Sequence, residues 1–107
     1  MPEAAGPGEL DGYASQVLDV VDAIPAGRVM SYGDIAEYLG AGGPRQVGRV
    51  MAVWGGGVAW WRVIHADGTP APGHERAALA HYRDERTPLR SEKSPVRVDI
   101  RKARWPG

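Results

Sequence analysis

Trp60, Trp61 and Arg62 stand together at the exit of a triple glycine, Gly55-Gly56-Gly57. Tryptophan is usually well buried, yet in an extended segment neighbouring side chains point to opposite sides. Both rings therefore cannot share one core face, and one of them lines something else. A second constellation lies just upstream. Arg45, Gly48, Arg49 and Ala52 recur at helical spacing, so two arginines alternate with residues that have almost no side chain. Such a face can approach a charged backbone closely. Reaction chemistry has far less to build on. The chain has no cysteine, and no serine or threonine sits in an activating motif. His65, His74 and His81 lack metal-ligand spacing and have no carboxylate cluster beside them. Asp67 and Glu75 read as a turn residue and a helix N-terminal charge. No metal and no cofactor is expected.

The elements that must position these residues are mostly helical. From Leu10 to Ile24 the apolar residues Leu10, Tyr13, Val17, Val20, Val21 and Ile24 follow helical spacing, and Pro25-Ala26-Gly27 ends the run. Val29-Met30 reads as an extended link. Ser31 and Asp34 form a capping box for a short helix, Tyr32–Leu39, with Gly40 as its left-handed stop. Pro44 suits the first position of a third helix running to about Trp54, with Val47, Val50, Met51 and Trp54 facing the core. Short helix, glycine turn and second helix make a helix-turn-helix layout. Val58 to Ile64 reads as extended or loop, Asp67-Gly68 as a turn, and Thr69 to Gly73 as an irregular loop. Glu75 to Glu85 makes a fourth helix with Ala78, Leu79 and Tyr82 inward. Val96 to Ile100 alternates like a strand, and Trp105 pins the tail to the body.

A chain of 107 residues holds one core and one domain. The expected fold is mainly α: a small, winged-helix-like domain over residues 9–107 with four to five helices and short extended segments near the C-terminus. Residues 1–8, rich in Pro, Gly and Ala, are expected to be disordered. No apolar run is long enough for a membrane span, and the N-terminus has no signal-peptide pattern. A cytoplasmic protein, nucleoid-associated if bacterial, is the expectation. Thirteen basic and thirteen acidic residues cancel, but unevenly along the chain. Residues 1–37 carry seven acids and one arginine, residues 38–82 four arginines and two acids, and residues 83–107 eight bases and four acids. The middle and tail can present a basic face; a solvated basic tail gives the same count.

Taken together, several ordered motifs resemble the DNA-binding domain of the O6-alkylguanine-DNA alkyltransferases, and more closely the alkyltransferase-like proteins that lack the acceptor cysteine. They are Ile24-Pro25-Ala26-Gly27-Arg28-Val29, Ser31-Tyr32-Gly33-Asp34-Ile35-Ala36, Arg45-Gln46-Val47-Gly48 with Met51, Trp60-Trp61-Arg62-Val63-Ile64, and Asp67-Gly68. The resemblance covers roughly residues 13–105. Where the alkyltransferases read Pro-Cys-His-Arg-Val, this chain has Ala59, Trp60, Trp61, Arg62 and Val63. Trp60 thus stands at the cysteine position, which rules out alkyl transfer there. Trp61 stands at a histidine and departs from the family pattern.

The resemblance implies a DNA interface of Ser31, Tyr32, Arg45, Gln46, Gly48, Arg49 and Ala52 in the minor groove of a duplex. Arg45 would replace an extruded nucleotide in the stack, and Tyr32 would crowd the phosphate that turns it outward. The alkylated guanine would lie in a pocket of Trp60 and Arg62. Some relatives add an arginine from the following loop; Pro70-Ala71-Pro72-Gly73 lacks one, and Arg76 is the nearest candidate. Double-stranded DNA carrying alkylated guanine and nucleotide excision repair proteins would be the partners of a monomer. Other readings of the residues stay open: Arg62 as a salt-bridge partner that fixes the loop, Trp60 as core filler, and the whole chain as a helix-turn-helix regulator without lesion specificity.

Overall fold

The computed structural model describes residues 12–107. The expected disordered tail and the helix start at Leu10 lie outside the described residues. Helix α1, Gly12–Ala23, buries Ala14, Val17, Val20 and Val21 along one stripe. After the Pro25–Gly27 turn, strand β1, Met30–Ser31, leads directly into α2, Tyr32–Leu39. The capping box forms in full: Ser31 Oγ accepts from the Asp34 amide at 2.9 Å, and the Asp34 carboxylate accepts from the Ser31 amide at 3.0 Å. Gly40 closes α2 at φ 69°, where a side chain would be strained. Helix α3, Pro44–Trp54, starts on proline and packs against both α1 and α2. Its first free amide, at Gly43, is taken by Gln46 Oε1 at 3.0 Å.

The chain then departs from the sequence expectation. Gly55–Gly57 and Trp60–Arg62 are turns of 3-10 helix, and only Val63–Ile64 is strand (β2). Helix α4 spans Glu75–Glu85 and ends on Arg86 in the left-handed region at φ 59°. The expected strand from Val96 to Ile100 is shorter: β4 is Arg97–Val98, and Asp99 starts helix α5, Ile100–Ala103. Its antiparallel partner β3, Leu89–Ser91, was not visible in the sequence; a register shift interrupts the ladder. Among the described residues, five α-helices and two short strand pairs give the mainly helical, single-domain fold expected.

Strand β1 pairs in parallel with β2, Met30 beside Val63 and Ser31 beside Ile64. Side chains alternate across such a ladder, and here that alternation divides the interior in two. Met30 and Val63 join the cluster of α1, α2 and α3, while Val29 and Ile64 join Ala78, Tyr82, Val96, Val98 and Ala103 on the other side. Trp105 donates its amide to Val29 O at 2.8 Å and packs on the first cluster, fastening the tail. The ladder is therefore the seam of the domain: α2 and His65 leave one end of it side by side, and the Trp60 turn enters β2 at the other.

Candidate nucleic-acid interface

At that seam lies a cavity of about 770 Å³, within the range of ligand pockets generally (~300–1,000 Å³). Tyr32 from the first turn of α2, Arg45, Gly48 and Ala52 from the exposed face of α3, and Trp60 from the 3-10 turn all line it. Gly55 and Gly56 form part of the floor beside Met51, and Ala71, Pro72, His65 and His74 complete the wall. An ideal Cβ at Gly48 would meet nothing within 4 Å, so the protein's own packing does not require glycine there. Tyr32 is half-buried, its ring centroid 5.0 Å from that of His65. Burial raises the Tyr32 phenol above its ordinary range, so the hydroxyl stays protonated and able to donate.

The two tryptophans differ in attachment. They meet edge to face at 5.6 Å and both pack on the second cluster, rather than pointing to opposite sides as the extended reading expected. A 3-10 turn separates neighbours by about 120°, which brings the rings together. Trp60 faces the cavity. Trp61 is held on three sides: its ring stacks on His81 at 3.5 Å and 2°, its Nε1 donates to Glu85 at 3.0 Å, and its carbonyl accepts the Tyr82 hydroxyl at 2.7 Å. The Tyr82 phenol is pushed up chiefly by burial, with the nearby Glu85 carboxylate adding to it, which keeps that donor protonated.

Arg62 does not line the cavity, and its placement among pocket residues is corrected. Its Nε and Nη2 donate to Glu85 at 3.0 and 2.6 Å and its Nη1 to Ile24 O at 2.9 Å, leaving 18% of the side chain exposed. The salt-bridge alternative is the one realised. Arg76 is exposed on α4 and also absent from the wall, because the Pro70–Gly73 loop sets Ala71, Pro72 and His74 there instead. Ser31 is buried, its Oγ engaged as a helix cap, so it is a support for Tyr32 rather than an open contact. Gln46 is exposed, with its Oε1 turned back onto the α3 start, and Arg49 is exposed on α3 beyond the cavity wall.

The sequence marks His65 and His74 only as histidines without metal-ligand spacing, yet both line the cavity. Their signal was positional: one follows a strand end and the other precedes a helix, which are places where side chains are presented to a cavity rim. Loop geometry also comes from a turn legible in sequence. Asp67 accepts from the amide and hydroxyl of Thr69 at 3.0 and 2.6 Å, and those bonds lower its carboxyl below the usual range. Gly68 follows at φ 90°, where an added Cβ would lie 2.6 Å from Val98 O.

Known proteins share this fold and part of this sequence. Alkyltransferase-like protein 1 of Schizosaccharomyces pombe is 41% identical over 63 residues, 56% of this chain and 58% of that protein. The DNA base-flipping protein of Escherichia coli is 39% identical over 62 residues, 55% of this chain and 48% of that protein. The chain thus matches about half the length of these relatives. A crystal structure of S. pombe Atl1 in complex with damaged DNA containing O6-carboxymethylguanine superposes with a TM-score of 0.77 at 28% identity, over 91% of this chain and 97% of that one. A second structure, S. pombe ATL with DNA, gives 0.74 with the same coverage. The family model for the DNA-binding domain of 6-O-methylguanine DNA methyltransferase matches residues 12–94, and the chain belongs to that family.

Proposed function

We propose that this protein is a non-enzymatic sensor of O6-alkylguanine in duplex DNA, which captures the damaged base outside the stack beside Trp60. One observation carries the reading: Tyr32, Arg45, Gly48, Ala52 and Trp60, brought together from three elements, line one cavity that is open along α3. In this reading α3 enters the minor groove, where Gly48 and Ala52 permit close approach and Arg49 meets phosphate. Arg45, exposed at the rim, fills the gap left by the rotated nucleotide while Tyr32 crowds its phosphate. Extrusion costs a few kcal/mol, less for a damaged base, and that difference favours lesions. Stacking on the Trp60 indole returns roughly 1–3 kcal/mol.

Trp60 takes the acceptor position of the alkyltransferases. An indole offers no nucleophile there, and the chain has no cysteine elsewhere, so the lesion is held rather than repaired. The held, distorted site then serves as a flag for nucleotide excision repair proteins. The protein works as a monomer on the chromosome, in the cytoplasm or nucleoid. The names of the relatives, a base-flipping protein and a complex with damaged DNA, support this assignment.

Titrating the protein with one duplex, with and without a single O6-methylguanine, tests it. The modified duplex should bind at least about tenfold more tightly, equivalent to ~1.4 kcal/mol. Equal affinities would sink the sensor reading and leave a helix-turn-helix binder of undamaged DNA, which the exposed Arg45 and Arg49 also fit. A methyl label on the duplex should stay with the DNA.

A further inference from the structure

The polar part of the cavity wall has a single electrostatic character. Tyr32, Arg45, His65, His74 and the indole N–H of Trp60 are its polar side-chain groups, and no carboxylate is among the lining residues. The Tyr32 phenol stays neutral. Once Arg45 occupies the duplex and Tyr32 the phosphate, the side chains left that can carry a positive charge to an adduct are the two imidazoles, on a wall whose larger apolar surfaces are Met51, Trp60 and Pro72. His65 approaches from the end of β2 and His74 from the residue before α4, its ring centroid 5.6 Å from that of Trp60. Imidazole is the side chain that ordinarily changes charge between pH 5 and 8.

We infer that this cavity selects O6 adducts ending in a carboxylate, and that His65 and His74 supply the preference by donating N–H bonds to it as imidazolium ions. The inference rests on the lesion-pocket reading and adds to it the class of lesion. An apolar adduct gains from the Trp60 and Met51 surfaces at any pH. A carboxylate loses hydration on entering such a cavity and needs charged donors to offset that loss. Falling pH protonates the histidines while a carboxymethyl group stays ionised, so preference for the acidic adduct strengthens downward in pH. Charged and titratable groups stand near both histidines. Asp67, in the turn after His65, is tied by two bonds to Thr69 and exposed. Glu75 and Arg76, of opposite sign, both follow His74 in the first turn of α4. From α4, His81 meets Trp60 edge to face at 5.9 Å but is stacked on Trp61.

The test uses the full chain and labelled duplexes differing only in guanine, O6-methylguanine or O6-carboxymethylguanine, read by anisotropy at about pH 6 and pH 8 and constant ionic strength. Taking the ratio of the two modified duplexes cancels any pH effect on general DNA binding. That ratio should shift toward carboxymethyl by about tenfold from pH 8 to pH 6, the gain of one charge-assisted hydrogen bond. His65→Gln with His74→Gln should flatten the ratio, whatever the variant's absolute affinity. The exposed His74→Gln alone, which leaves the buried interior untouched, should remove part of the shift. A flat wild-type ratio overturns the inference while a preference for O6-methylguanine over guanine leaves the sensor reading standing. A shift that survives in both variants overturns the assignment to the histidines. No preference for either modified duplex over guanine at either pH removes the sensor reading and this inference together.

Discussion

Four hydrogen bonds converge on the Glu85 carboxylate, from Arg62 Nε and Nη2, Trp61 Nε1 and the Gly27 amide. With 10% of its side chain exposed, burial pushes the carboxyl up. The bonds from Arg62, Gly27 and Trp61, with the Arg62 charge, outweigh that and hold it below the ordinary range. The consequence is structural: one buried anion fixes the turn that carries Trp60, the turn that ends α1, and the end of α4. Removing it leaves the Arg62 guanidinium buried without its partner, a loss of about 3 kcal/mol. Glu85→Ala should therefore lower the melting temperature by roughly 15 °C in a domain of this size, and thermal unfolding at neutral pH checks it. A folded pKa below the unfolded value means the stabilisation is complete above the ordinary glutamate value of about 4.3 and is lost as pH falls through the folded one. The stability gap between wild type and Glu85→Gln should thus hold from neutral pH down to about 4.3 and close as pH falls further. A gap that stays constant would show that the carboxylate's charge is not what matters.

At the scale of elements, local signals were legible and non-local ones were not. The capping box at Ser31 and Asp34, the Gly40 stop and the Pro44 start each depend on residues within four positions, and all formed as read. By contrast, Arg62 and Glu85 lie 23 residues apart, so nothing in local spacing marked the pair. Periodicity also misled at Trp60–Arg62 and at Ile100, because a single 3-10 turn or four-residue helix is too short to show its period. Helix α3 yields a sharper element-level prediction. Glycine within a helix costs about 0.5–1 kcal/mol relative to alanine, and an added Cβ at Gly48 meets nothing. Gly48→Ala should therefore raise the melting temperature by a few degrees. The same methyl stands between α3 and the minor groove, so DNA affinity should fall while stability rises. Opposite movements in melting and titration identify Gly48 as kept for approach; a fall in both would make it a packing glycine.

On the scale of the whole molecule, the β1–β2 ladder explains why the candidate site could be read only in part. Its two faces serve two clusters, and the cavity opens where they adjoin. The α3 wall follows from one helix pattern, whereas the opposite wall is assembled from Trp60 in its 3-10 turn, His65 after β2, and Ala71, Pro72 and His74 in the loop before α4, which no single helical or strand pattern contains. Charge is distributed in the same divided way. The chain is neutral overall, so attraction to DNA must come from where the cations stand. Arg45 and Arg49 are exposed on α3, and neither is in an ion pair among the described residues. Phosphate contacts and lesion capture should therefore separate experimentally. Each phosphate neutralised contributes about −0.9 to the slope of log affinity against log salt, whereas stacking in a cavity releases no counterions. Arg49→Ala should make the slope shallower by about 0.9 and leave the ratio of lesion to undamaged affinity unchanged. Trp60→Ala should collapse that ratio and leave the slope where it was. Both come from titrations of two duplexes at three or four salt concentrations. If Trp60→Ala weakens both duplexes equally, or shifts the slope as Arg49→Ala does, then Trp60 supports the binding face instead of reading the base.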